Sequence, residues 1–219
     1  MRQSVKEPHG KALVYSIMAG VVVGLGGTAL LELENVYLGS FLFAGALFII
    51  LSLEYDLFTG QVGYFFYKER KPYAIHLLVV LIGNLIGTFL TAMMIRATRL
   101  GPLLMAEAQL KTAVKIEDSF LSLFILAIFC NMFVTNAAHQ FKYNPYQVGK
   151  YMAIFVSIMT FALSGYEHSI ADSFFFFLAG DFNMAALRTF GIVLLGNIVG
   201  GLIIPTLALK FDDHFRLKG

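Results

Sequence analysis

Apolar residues run in long blocks along this chain, separated by short polar clusters. The blocks lie near 12–32, 36–66, 73–97, 118–138, 148–178 and 184–209. About 20 apolar residues in a helix cross the hydrocarbon core of a bilayer, so the pattern predicts six membrane spans. The second and fifth blocks are longer than one crossing requires, and each carries a polar break. The first break is Glu54-Tyr55-Asp56-Leu57-Phe58-Thr59-Gly60, and the second is Ser164-Gly165-Tyr166-Glu167-His168. A helix that unwinds at mid-membrane and restarts accounts for both. Irregular backbone is tolerated at that depth only where it lines a cavity or is buried in protein. The first block begins after Lys11 and no small-residue cleavage site follows it, so it reads as a retained span.

The two halves of the chain resemble each other. Gly83-Asn84-Leu85-Ile86-Gly87 in the third span recurs 113 residues later as Gly196-Asn197-Ile198-Val199-Gly200. Each half is then a plain span, a broken span and a GNxxG span. The expected organisation is one transmembrane domain over residues 1–219, with repeats near 10–97 and 115–210. An odd number of spans per repeat puts the halves in opposite orientations, and interrupted segments at matching positions point to the solute site. Gly20 and Gly24 add a small-residue spacing that lets helix backbones approach closely. With both termini cytoplasmic, 11 of the 16 Lys and Arg residues fall on that side. This bias predicts a multi-pass protein of the cell membrane with both ends inside. The connection at 98–117 is amphipathic and is expected to lie at the interface or fold back over a pore mouth.

Composition narrows the class. Of 219 residues, 58% are hydrophobic and 14% charged, with a mean hydropathy of +0.74. A soluble surface cannot hide so many apolar side chains, so lipid is the expected surrounding. A net charge of +2 gives no footprint for a nucleic-acid partner. Cys130, the one cysteine, excludes an internal disulfide.

Ionisable groups inside apolar spans are costly and each needs a reason. Glu54, Asp56, Glu167, His168 and Asp172 gather in or beside the two breaks. His168 falls where the halves should meet, and is read as a solute contact or proton relay, or as a buried histidine held by a carbonyl. Thr59, at the other break, binds a solute oxygen, orients the imidazole or bonds its own helix. Asp56 and Glu167 are expected to be structural, accepting hydrogen bonds at exposed helix starts. Lys115 is either a cation raising anion concentration at an entrance or a lysine reaching for the interface. Asn131 ties helices together or faces the pore. Phe174 to Phe177 cover every face of a helix and are expected to serve packing and lipid contact. His168 and Asp172 have a spacing that can hold a metal, but no second pair accompanies them, so no metal and no cofactor is expected.

The motifs resemble the formate/nitrite transporter family. Asp56-Leu57-Phe58-Thr59-Gly60 is similar to that family's first signature, and Ala127 to Ala137 to its second. Tyr166-Glu167-His168-Ser169 is similar to its aromatic-Glu-His-Ser element. Lys115 and Asn131 stand 53 and 37 residues before His168, in keeping with the family's lysine and asparagine. The resemblance implies an aquaporin-like six-helix bundle, all α, with one pore per protomer in a homopentamer. It also implies apolar constrictions at Phe43, Leu47, Leu57, Phe58, Val134 and Phe161, with Thr59 and His168 between them and Asn131 close by. Glu54 and Tyr55, ahead of the first signature, and Thr135 and Asn136, at the end of the second, depart from the family pattern.

The expected activity is passage of small monovalent anions of weak acids together with a proton. Formate comes first, then nitrite, hydrosulfide or lactate. Desolvation disfavours the charged form, so the anion is expected to take a proton from water or through His168. An aquaporin-like facilitator of small neutral solutes is the alternative, although no Asn-Pro-Ala box is present; Asn144-Pro145 lies in a loop. An intramembrane enzyme is not expected, because no Gly-x-Ser-x-Gly occurs.

Overall fold

A computed structural model describes residues 9–211, with side chains from 10 to 207. Arg2, Lys6, Lys210, Arg216 and Lys218, which contribute to the charge bias, lie outside the residues described to side-chain level. Among the described residues the chain is entirely helical apart from turns. Four helices are long and apolar enough to cross a membrane: α1 (His9–Glu32), α4 (Arg70–Arg96), α6 (Phe120–Tyr143) and α9 (Met184–Phe211).

The two long apolar blocks are each split. The first gives α2 (Val36–Ser52), then five non-helical residues, then the one-turn helix α3 (Phe58–Gln61) and a 3-10 segment Val62–Tyr67. The second gives α7 (Gln147–Leu163), a five-residue break and α8 (Ser169–Ala179). At 1.5 Å per residue, the 17 residues of α2 or α7 extend about 25 Å, short of a full crossing.

The breaks are built alike. Tyr55 N–H donates to the Ile50 carbonyl at 2.9 Å, and Tyr166 N–H to the Phe161 carbonyl at 3.0 Å. Each break turns through a left-handed residue, Glu54 at φ +55° and Gly165 at φ +68°. Glycine takes that conformation freely, whereas a residue with a Cβ is strained in it. Glu54 is therefore the counterpart of Gly165, a position that its charge alone does not reveal.

Packing follows the same pairing. α1 lies along α4, and α6 along α9. The continuation of each broken helix crosses to the other half: α8 packs on α4, and Val62–Tyr67 on α9. Small residues allow the close pairs. A Cβ on Gly87 would strike the Ile17 carbonyl, and one on Gly200 the Ile128 carbonyl. The 98–117 connection is the helix α5 (Gly101–Glu117), folded against α8. Gln109 Nε2 donates to the Ala179 carbonyl at 3.3 Å, and the Thr112 hydroxyl to Asp181 at 2.5 Å. Phe174, Phe175 and Phe176 are buried inside the protomer by this arrangement, so they serve packing and not lipid contact.

Candidate functional site

Helix starts leave backbone N–H groups without partners, and each restart here is held by an asparagine from a GNxxG span. Asn84 Oδ1 accepts from Phe58 N–H at 2.8 Å, while Asn84 Nδ2 donates to the Ser16 and Asp56 carbonyls, both at 2.8 Å. Asn197 repeats the arrangement. Its Oδ1 accepts from Ser169 N–H at 2.8 Å, and its Nδ2 donates to the Ala127 and Glu167 carbonyls, both at 2.9 Å. Both asparagines are fully buried. The repeated GNxxG is visible in the sequence as a match between the two halves, but nothing in one dimension assigns its asparagines to the helix restarts.

The breaks meet at Thr59 and His168, whose Oγ1 and Nε2 atoms are 2.8 Å apart. His168 is the N-cap of α8, and its Nδ1 accepts from Ala171 N–H at 3.1 Å. A ring nitrogen that accepts carries no proton, so the neutral ring holds its proton on Nε2 and donates to Thr59. The Thr59 hydroxyl accepts there and keeps its own O–H to donate. Phe161 stacks on the imidazole, with centroids 5.7 Å apart and planes at 15°. Phe43 meets Phe161 edge-on at 6.0 Å.

Beside this pair lies a small, largely apolar chamber. Its walls include Phe43, Leu47, Leu57, Val134 and Phe161, five of the six residues expected at constrictions, and His168 is its one polar lining residue. Phe58 is buried but does not line it; its backbone is engaged by Asn84.

The remaining expected residues sit elsewhere. Asn131 is fully buried between α6 and α9, donates to the Asn197 carbonyl at 2.7 Å, and is absent from the cavity wall. Lys115 is not a lone cation. It is mostly buried and bonds the Glu167 carboxylate, and its Nζ lies 3.0 Å from Asp172 Oδ1. The Glu167 carboxylate thus pairs with a lysine, while its carbonyl supports the helix restart. Asp56 bonds Gln61, whose other side-chain atom meets His76 Nε2 at 2.7 Å. Gln61 stands directly after the first signature, but nothing in the sequence ties it to Asp56 or His76. No cluster of three or more His, Cys, Asp or Glu able to hold a metal occurs among the described residues.

An all-helical membrane protein with two interrupted helices meeting at one buried polar pair, beside an apolar chamber, falls in the class of membrane channels and transporters. Comparison with known proteins narrows this. The model of the formate/nitrite transporter family matches residues 1–211, and the chain belongs to that family. It is therefore a transport protein and not an enzyme. It is 30% identical over 223 residues to formate-nitrite transporter 3 of Toxoplasma gondii, a match covering 87% of this chain and 45% of that relative. It is 28% identical to the nitrite transporter NirC of Escherichia coli, covering 92% of this chain and 83% of NirC. Two solved structures share the fold. One, described as a pentameric formate channel with formate bound, superposes with a TM-score of 0.76 at 23% identity, over 94% of this chain and 98% of that one. The other, described as an FNT family ion channel, gives 0.81 at 24% identity, over 96% and 92%.

Proposed function

We propose that this protein passes small monovalent anions of weak acids, formate first, with nitrite, hydrosulfide and lactate as the other substrates to test. The anion crosses together with a proton, as the near-neutral acid. The observation that carries this reading is the chamber itself: its wall is apolar except for His168, which is paired with Thr59. An uncompensated charge costs several kcal/mol or more in such surroundings, and a neutral acid much less.

Geometry divides the roles. Thr59 offers a hydroxyl proton to an oxygen of the solute, and His168 holds that hydroxyl in place. A second proton on the ring would have to sit on Nδ1 and would displace Ala171 N–H, uncapping α8. The neutral ring is thus the resting form, and entrance water is the source of the proton that the anion takes up. Phe43, Leu47, Leu57, Val134 and Phe161 form the apolar barrier, with Phe58 behind it. Asn131 works from behind the chamber by joining α6 to α9, and Lys115 lies at the entrance on the α5 side. Asp56 and Glu167 support the breaks through their carbonyls.

The matching hydrogen bonds of Asn84 and Asn197 support inverted repeats near 10–97 and 115–210 and an aquaporin-like bundle. The likeness to a structure described as a pentameric formate channel supports formate as substrate and a homopentamer. The cell membrane, with both termini inside, is the location that the Lys and Arg bias favours.

Uptake of labelled formate into proteoliposomes tests the reading. Uptake should rise with an inward proton gradient and be competed by nitrite, hydrosulfide or lactate in order of preference. His168→Phe should lower the flux at every pH, because the Thr59 hydroxyl loses the imidazole that holds it. Glycerol or water flux without acid flux would instead assign a facilitator of neutral solutes.

A further inference from the structure

Lys115 faces two carboxylates, not one. Its ammonium bonds Glu167 and lies 3.0 Å from Asp172, so the two acids meet at one ammonium. Asp172 is 2% exposed, and as a carboxylate its Oδ2 has no partner. With both acids ionised, this buried cluster carries a net negative charge and leaves an acceptor unsatisfied. One proton shared between the acids removes both faults, as like-charged carboxyls in contact commonly do.

The neighbouring groups do not supply the missing positive charge. On α5, Lys111 faces Glu107 as well as the two acids, so its charge is divided between them. His168 uses Nδ1 as an acceptor, and Cys130 on α6 is a buried thiol. Arg96 on α4 is spent on the Phe177 and Leu178 carbonyls at the far end of α8. Asp181 beyond α8 and Glu32 at the end of α1 are acidic, and α9 contributes only Asn197 at the near end of α8.

We propose that Glu167 and Asp172 share one proton, and that this proton decides whether the Lys115 entrance accepts an anion. With the proton bound the cluster is neutral and Lys115 can attract the anion. With it lost the cluster is negative and repels it. Asp172 is thus a positioning and selectivity residue on the α5 side. This inference rests on the anion-transport reading above.

The experiment combines flux with infrared spectroscopy on the full chain in proteoliposomes, with formate and nitrite as probes. Wild type should show the carbonyl stretch of a protonated carboxylic acid near neutral pH. Asp172→Asn should lose that band and raise formate flux at the alkaline end by roughly fivefold to tenfold, the scale of removing one charge near the anion's path. Flux at the acidic end should change less than twofold, so the pH profile flattens. Glu167→Gln should also lose the band, because a single carboxylate beside Lys115 stays ionised; this variant serves if Asp172→Asn fails to fold. A band that persists in either folded variant, or a pH profile unchanged in Asp172→Asn, overturns the proposal. Absence of both formate and nitrite flux from wild type at every pH overturns the transport reading instead, and the infrared band then still decides the shared proton.

Discussion

Asn84 and Asn197 each satisfy one orphan N–H at a helix restart and hold two carbonyls. A leucine at position 197 has similar bulk but leaves Ser169 N–H and the Glu167 carbonyl unpaired in a buried setting. Each such group costs ~1–3 kcal/mol. Asn197→Leu is therefore expected to lower stability by ~2–4 kcal/mol, read as a large drop in the melting temperature of the purified protein. Asn84→Leu should do the same, because it serves the other break through the same contacts. An unchanged melting temperature in both variants would mean that water or a relaxed backbone replaces the side chains. Thr59 and His168 depend on these asparagines indirectly, since the restarts they brace set the 2.8 Å contact between the breaks.

Helices meet closely here only where glycine permits it. Gly200 lies against the Ile128 carbonyl, backbone that cannot swing aside, whereas Gly191 on the same helix has open space where a Cβ would stand. The same substitution should then have opposite signs. Gly200→Ala is expected to destabilise by ~1–3 kcal/mol through overpacking, while Gly191→Ala should stabilise by up to ~1 kcal/mol through helix propensity. Thermal melting of the two variants side by side checks this. Equal effects would show that α6 and α9 are free to separate. At this scale the role of α5 also becomes clear: it is strapped onto α8 by Gln109 and Thr112 and brings Lys115 to the acids.

Large apolar side chains such as Tyr37, Met94, Leu110, Phe120 and Val148 remain exposed on the protomer. Lipid covers some of that surface, and in the proposed homopentamer neighbouring copies cover the rest. The protein extracted in mild detergent is expected to run as one species of about five times the 24.3 kDa protomer, after correction for detergent. A monomer or dimer under conditions that preserve formate uptake would remove the pentamer and leave the pore in each protomer intact.

The sequence by itself determined the class, the spans and the two breaks, because hydropathy and helix length are local properties and a bilayer imposes both. It also showed that Gly83 to Gly87 and Gly196 to Gly200 share one pattern, whose two asparagines make matching contacts in space. His168 and Thr59 were legible as polar residues at the breaks. Five of the six residues that the family resemblance places at constrictions line the chamber. Tertiary structure decided the rest. The 53 residues between Lys115 and His168 gave no hint that Lys115 is neutralised by Glu167 and Asp172, because charge pairing depends on how α5 folds onto α8. Nor did an apolar helix containing Asn131 reveal that this side chain points to α9 and not to the chamber. Glu54 appeared as a stray charge, and only the backbone identifies it as the left-handed turn that Gly165 makes in the other half. Each of these outcomes depends on a direction in space, which periodicity along a chain does not encode.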